Sequence, residues 1–399
     1  VSAVVLGTFD AERHWRPADL ATLPAAGSAG GVAESMDELL AGFCAPDDLL
    51  VTRRPVAPVL AAGLAACGVT FAAHSLDASG TLEGALLNDA AAVELLRGRT
   101  EFRPYAVLPD TARLDWTDGL PDAAVVATVN SKTWSNNLAL ELGLPGTGTV
   151  VRSVDELTAA VDGTVVVKDP YGVSGRAMLE VGSPGVLRAV ARTLAGQDRR
   201  VELLVQTKFE KRLDFSGHLA VFPDGGWEFL GVQAMNNRGF RHIGSAPATP
   251  QLLDLVDRAG YVDVLGAVAK AVSAAGYWGP VGVDSMVLAG GTVLPILEIN
   301  ARRSLGLLSL HWERRTPGFR LWQLELRVPD GRGIDDVVAA LPGVGSEVVV
   351  LSGSGLAAPG GRVYLGLVCP PVAVHRLQDE VVGRLTAAGL PPKGVVDAA

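Results

Sequence analysis

Short apolar runs alternate with helical spacing over the first third of the chain. Residues 3–6, 49–51, 69–71 and 125–127 are continuous apolar runs and predict buried strands. Residues 55–66 and 85–96 carry the wider spacing of helices. That alternation predicts an α/β layer with a parallel sheet over residues 1–128. The texture then changes. Ser153 with Glu156 is a capping box opening a short helix, and Asp162-Gly163 marks a turn. Residues 164–168 are β-branched and end in Lys168, residues 177–181 and 203–205 predict further strands, and Ser183-Pro184 opens another helix with proline at its first position. Residues 129–206 thus predict a compact α+β unit. Residues 207–328 predict an antiparallel sheet and one long helix at 251–274. Its hairpins turn at Pro223-Asp224-Gly225-Gly226 and Ala289-Gly290-Gly291. Residues 329–399 hold two strands, 347–351 and 362–368, and a helix at 374–388, a small αβ unit.

Composition narrows the function classes. Of 399 residues, 48% are hydrophobic and 19% charged, ample for a packed core. The net charge is −9 and no basic run exceeds a pair, which argues against a nucleic-acid partner. The three cysteines lie far apart and the six histidines lack ligand spacing, so neither a zinc site nor a disulfide framework is expected. The apolar stretch at 59–73 is shorter than the roughly 20 residues of a membrane span, and the first residues lack the basic segment of a signal peptide. A cytoplasmic protein with no membrane partner is the expectation.

Two constellations carry chemistry. In the first, a strand delivers Lys168, and a loop with Gly172, Ser174, Gly175 and Arg176 follows. Glycines let backbone N–H groups approach phosphate oxygens, and lysine adds a point charge. The same pattern also fits a solvated surface hairpin. In the second, Asp284 lies on one strand of a hairpin and Glu298 and Asn300 on the other, followed by Arg302 and Arg303. Alternation puts Glu298 and Asn300 on one face and turns Leu297 and Ile299 into the core. Two carboxylates and an amide oxygen suit Mg²⁺, although a polar outer face would read alike. Asn130-Ser131-Lys132 opens a helical stretch, where an ordinary surface lysine is the plainer reading. Asn236, Arg238 and Arg241 form a polar segment whose arginines would clamp a carboxylate, or merely face solvent.

The order of these motifs resembles the ATP-grasp superfamily of carboxylate–amine ligases. The resemblance covers about 130–305: Lys132 with the later Leu142-Gly143-Leu144-Pro145, Lys168 with its loop, and Asp284 with Glu298-x-Asn300-x-Arg302. It implies three parts, an N-terminal α/β domain, a lid and a central nucleotide domain. It implies ATP as cofactor with Mg²⁺, or Mn²⁺, held by Asp284, Glu298 and Asn300. Lys132 and Lys168 would contact phosphates, covered by the loop at 172–176. Gln206, Thr207, Lys208 and Phe209 would read adenine, Asp214 ribose, and Arg302 or Arg303 the transferred phosphoryl group. The family often has an acid where this chain has Gln206 and Thr207, and an arginine where it has Gly282. The N-terminal part resembles the pre-ATP-grasp domains of bacterial peptide ligases, implying an amide or peptide bond between a small carboxylic acid and an amine in small-molecule biosynthesis. A homo-oligomer, a kinase of the same fold and a catalytically silent nucleotide-binding module stay open.

Overall fold

The structure is a computed structural model that describes residues 2–24, 33–117, 119–172, 177–357 and 361–393. Three sheets organise it. The first contains β1 (Ala3–Leu6), β2 (Leu49–Thr52), β3 (Ala72–Ser75) and β4 (Glu101–Pro104), in the order β3-β2-β1-β4 with every pairing parallel. The strand expected at 69–71 lies just downstream, where Ala72–Ser75 pairs with β2 despite a weak apolar signal. Residues 125–127 are not a strand. The side chain of Asp122 accepts hydrogen bonds from the N–H groups of Ala124 and Val125 and starts the helix Ala123–Val129, which buries Val126 and Val129. The helix expected at 85–96 is two helices, because Asp89 caps a new one at Ala90.

The second sheet contains β5 (Thr149–Val151), β6 (Val165–Lys168), β7 (Met178–Val181) and β8 (Leu203–Thr207), antiparallel in the order β5-β8-β6-β7. Its helices Val154–Ala160 and Pro184–Ala195 are capped by Ser153 and Ser183, as the capping signals predict. Val165, Val167, Leu203, Val205, Val190 and Leu194 give this unit a core of its own. Ala21 and Leu23, from far upstream, complete that core.

The third sheet has eight strands: β9 (Lys211–Val221), β10 (Trp227–Arg238), β11 (Arg241–Pro247), β12 (Gly279–Leu288), β13 (Val293–Asn300), β14 (Phe319–Glu325), β15 (Val348–Ser352) and β16 (Arg362–Val368). Their order is β13-β12-β9-β10-β11-β14-β16-β15. The segment after residue 328, set apart above as a small αβ unit, therefore shares a sheet with the central strands. The reason is the continuous register of β14 with β16, from Phe319–Val368 to Glu325–Arg362. The long helix expected at 251–274 breaks into Pro250–Arg258 and Tyr261–Ala274, because Gly260 takes a φ of +63° that ends the first helix. The polar segment 235–242 is not an open loop: it ends β10 and begins β11. Among the described residues, no helix is long and apolar enough to cross a membrane.

Candidate active site

The hairpin of β12 and β13 places Asp284 directly opposite Glu298. The Asn300 amide donates to Asp284 Oδ2 at 3.2 Å. Burial, and after it the neighbouring charge of Glu298, push the Asp284 carboxyl up to about 7. Lys132 Nζ donates to Glu298 Oε1 at 2.8 Å, while Asp284 forms no ion pair among the described residues. Facing carboxylates of this kind fit a divalent cation. Among the described residues no group of three or more His, Cys, Asp or Glu side chains could hold a metal. A set of two carboxylates and an amide oxygen fits Mg²⁺, which keeps much of its shell for water and phosphate.

Lys132 starts the helix Lys132–Glu141, which packs along β13. Asn130 and Ser135 complete the free edge of that strand: the Ala301 N–H donates to Asn130 Oδ1 at 2.9 Å and the Ile299 N–H to Ser135 Oγ at 3.0 Å. Asn130-Ser131-Lys132 is thus an edge-strand clasp. The Lys132 ammonium also donates to the Gly172 carbonyl at 2.7 Å and does not line the cavity described next. Lys168, at the end of β6, does line it. Burial lowers its pKa to about 8 against the opposing pull of Glu298. Among the described residues no carboxylate forms an ion pair with it.

A cavity of about 480 Å³ runs between the second sheet and the face of the third. Lys168, Gln206, Thr207, Lys208, Phe209, Asp214, Asp284, Glu298, Asn300 and Arg302 line it, so the sequence-predicted residues converge from five strands, the hinge after β8 and the turn after β13. Leu297, expected in the core, lines the cavity as well. Asp214 accepts from Lys211 at 2.5 Å and from Asn237 at 2.7 Å. Lys208 pairs with Glu180 at 2.7 Å, both half-exposed. Ser174, Gly175 and Arg176 lie outside the described residues; Gly172, at the start of that loop, does not line the cavity.

Arg302 and Arg303 part company. Arg302 lines the cavity, donates to Tyr105 Oη at 3.0 Å, and its Nε donates to Glu12 Oε1 at 3.0 Å. Arg303 turns away, lies 5.4 Å over the Phe43 ring and donates to the Pro104 carbonyl. These contacts pack it between β4 and the third sheet, and it is not among the residues that line the cavity. Of the three suggested substrate contacts, only Arg241 lines the cavity. Alternation along β10 turns Met235 and Asn237 inward, so Asn236 and Arg238 fall on the other face. Sequence reading missed Glu12, Tyr105, Gln323, Arg362 and Tyr364. Glu12 sits in the short helix Ala11–Trp15 between Ala11 and Arg13, where nothing in the sequence sets it apart from a surface acid.

No protein-family model matches the chain. Solved structures share its whole architecture. The biotin carboxylase domain of 2-oxoglutarate carboxylase from Hydrogenobacter thermophilus, solved with MgADP and bicarbonate, superposes with a TM-score of 0.57 at 14% identity, covering 99% of this chain and 91% of that one. N5-carboxyaminoimidazole ribonucleotide synthetase from Thermus thermophilus gives 0.56 at 14% identity, covering 97% and 98%. L-amino acid ligase from Bacillus licheniformis gives 0.52 at 12% identity, covering 99% and 98%. The chain has the ATP-grasp fold of these enzymes. In sequence it is similar to the [butirosin acyl-carrier protein]–L-glutamate ligase of Niallia circulans, 25% identical over 193 residues, 46% of this chain. The match spans 45% of that protein's length.

Proposed function

We propose that the chain is an ATP-dependent carboxylate–amine ligase that activates an acid as an acyl phosphate. The observation that carries the reading is the meeting of Asp284, Glu298, Asn300, Lys168 and Arg302 on one cavity. Facing acids beside a lysine and an arginine form a receptor for a triphosphate and its metal. The fold points the same way. The relative and one structural neighbour carry amino-acid substrates in their names, which supports an amino acid as one of the two substrates.

The roles follow from the geometry. Gln206 to Phe209, with Leu297 and Met286, wall the cavity for the base, and Asp214 stands where a ribose hydroxyl can donate to it. Asp284, Glu298 and Asn300 would hold Mg²⁺, which supplies positive charge to phosphate oxygens when bound. Lys168 and Arg302 bring fixed cations to the phosphoryl group as charge spreads over its oxygens. A carboxylate oxygen of the acid attacks the γ-phosphorus, and the bond to the bridging oxygen of ADP breaks. The amine then attacks the acyl carbon; the C–O bond to phosphate breaks and the nitrogen loses a proton to give the amide. Tyr105 and Glu12 hold the Arg302 fork in place for the first step.

The test uses ATP, Mg²⁺ and a panel of amino acids and small acids, with hydroxylamine as the trapping amine. The expected products are a hydroxamate, ADP and phosphate. Glu298→Gln should reduce turnover by at least about a hundred-fold, since loss of a ligand removes several kcal/mol of charge stabilisation. Pyrophosphate formed in step with hydroxamate would overturn the acyl-phosphate route. A stable phosphorylated acid without hydroxamate would make the protein a kinase.

A further inference from the structure

The cavity continues well past the phosphate-binding residues. At its far end, Arg241 on β11 and Arg362 on β16 both line it, with Gln323 of β14 and Tyr364 of β16. Both guanidinium groups share one carboxylate: Glu325 Oε1 accepts from Arg241 at 2.5 Å and from Arg362 at 2.8 Å. With the Gln323 amide oxygen turned toward them, it accepts from Arg241 at 2.5 Å and Arg362 at 3.2 Å. The cluster therefore carries two positive charges against one negative. Arg362 is buried, its side chain only 8% exposed, yet it faces the cavity.

Arg241 and Arg362 stand on other strands than the phosphate receptor: β11 lies three strands from β12, and β16 lies five. The two sets open on one cavity, and Tyr105, which accepts from Arg302, is close enough to feel the charge of Tyr364.

We propose that Arg241 and Arg362 form a subsite for a second, non-reacting carboxylate, so that one of the two substrates is an acidic amino acid or a dicarboxylate. This assignment rests on the ligase reading given above. Planar guanidinium forks match a carboxylate in two-pronged fashion, and Glu325 keeps both forks oriented while leaving one charge uncompensated. The subsite selects by charge. An amide in place of that carboxylate presents no charge to the arginine pair.

Calorimetry on the full chain, loaded with Mg²⁺ and a non-hydrolysable ATP analogue, tests the subsite. Short dicarboxylates and acidic amino acids are titrated, each beside its monoamide. The wild type should prefer the carboxylate member by about ten-fold or more, as charge-assisted pairs do. Arg241→Gln, at a half-exposed position, should erase that preference. Glu325→Gln, which removes the competing carboxylate, should enlarge it. Arg362→Gln should behave as Arg241→Gln, with a melting curve to show that it folds. No preference in the wild type, or a shift in the same direction for Arg241→Gln and Glu325→Gln, would overturn the subsite. Supplying the acidic group on the acid or on the amine in hydroxylamine-free turnover then shows which substrate carries it. Charge discrimination without any ADP release would keep the subsite and sink the ligase reading; ADP release without charge discrimination would do the reverse.

Discussion

Lys168 shows how a single side chain ties stability to function. It is a buried cation with no direct carboxylate partner among the described residues, and burial holds its pKa at about 8. Its unfolded value is about 10.4, so the unfolded chain binds the extra proton between those limits and stability rises with pH across them. Below pH 8 the penalty for a buried charge is present in full. Lys168→Met should therefore raise the melting temperature of the nucleotide-free protein at pH 7, by on the order of 2–3 kcal/mol in stability. The gain should fade toward pH 10, and turnover should be lost at every pH. Thermal melts across that range check the sign. Arg302 and Arg303 separate the two duties differently. Arg302→Lys loses the fork held by Glu12 and Tyr105 and should cut turnover severely with modest unfolding. Arg303→Lys loses the Phe43 and Pro104 contacts and should lower the melting point while sparing turnover. The reverse ranking in paired rate and melting measurements would exchange their roles.

Elements were legible wherever local pattern decides them. The β12–β13 hairpin follows from its Gly turn and its alternation, and it places Glu298 and Asn300 beside Asp284 as read. Strand–helix decisions failed where a cap outweighs an apolar run, as Asp122 does for residues 123–129. Leu297 escaped because alternation names two faces but not which of them a cavity opens on. Close approach between elements is also invisible in sequence. The helix Leu305–Arg315 meets β9 through Gly306, where an added Cβ would stand 2.7 Å from His218 Nε2 and 2.9 Å from Ser216 Oγ. Burial pushes His218 down to about 3, so it is a neutral, packed ring that cannot yield. Gly306→Ala should cost about 1–3 kcal/mol in urea unfolding by overpacking. Because Ser304, Leu305 and Gly306 line the cavity, it should also weaken substrate binding. Unchanged stability would mean that the helix start is free to shift.

At the scale of the molecule, long-range partners complete the site. Glu12 reaches Arg302 across 290 residues of sequence, and Arg16 pairs with Asp169 at 2.5 Å, next to Lys168. Leu20 bridges to Arg200, and Ala21 and Leu23 enter the core beside the second sheet, so the N-terminal segment straps that unit to the first sheet's. At the other end, Glu38 accepts from the N–H groups of Gly353 and Ser354 and ties the last strands to the first domain. No spacing rule reaches across such distances, which is why Glu12 and Arg362 stayed hidden while Lys168 and Asp284 did not. In the proposed reaction these parts converge on one event, the attack of a substrate carboxylate oxygen on the γ-phosphorus of ATP. Turnover of an acid labelled with oxygen-18 in its carboxyl group tests that event most directly. Phosphorus NMR should show ADP without label and inorganic phosphate carrying one labelled oxygen from the acid. Unlabelled phosphate, or AMP with pyrophosphate, would contradict the account.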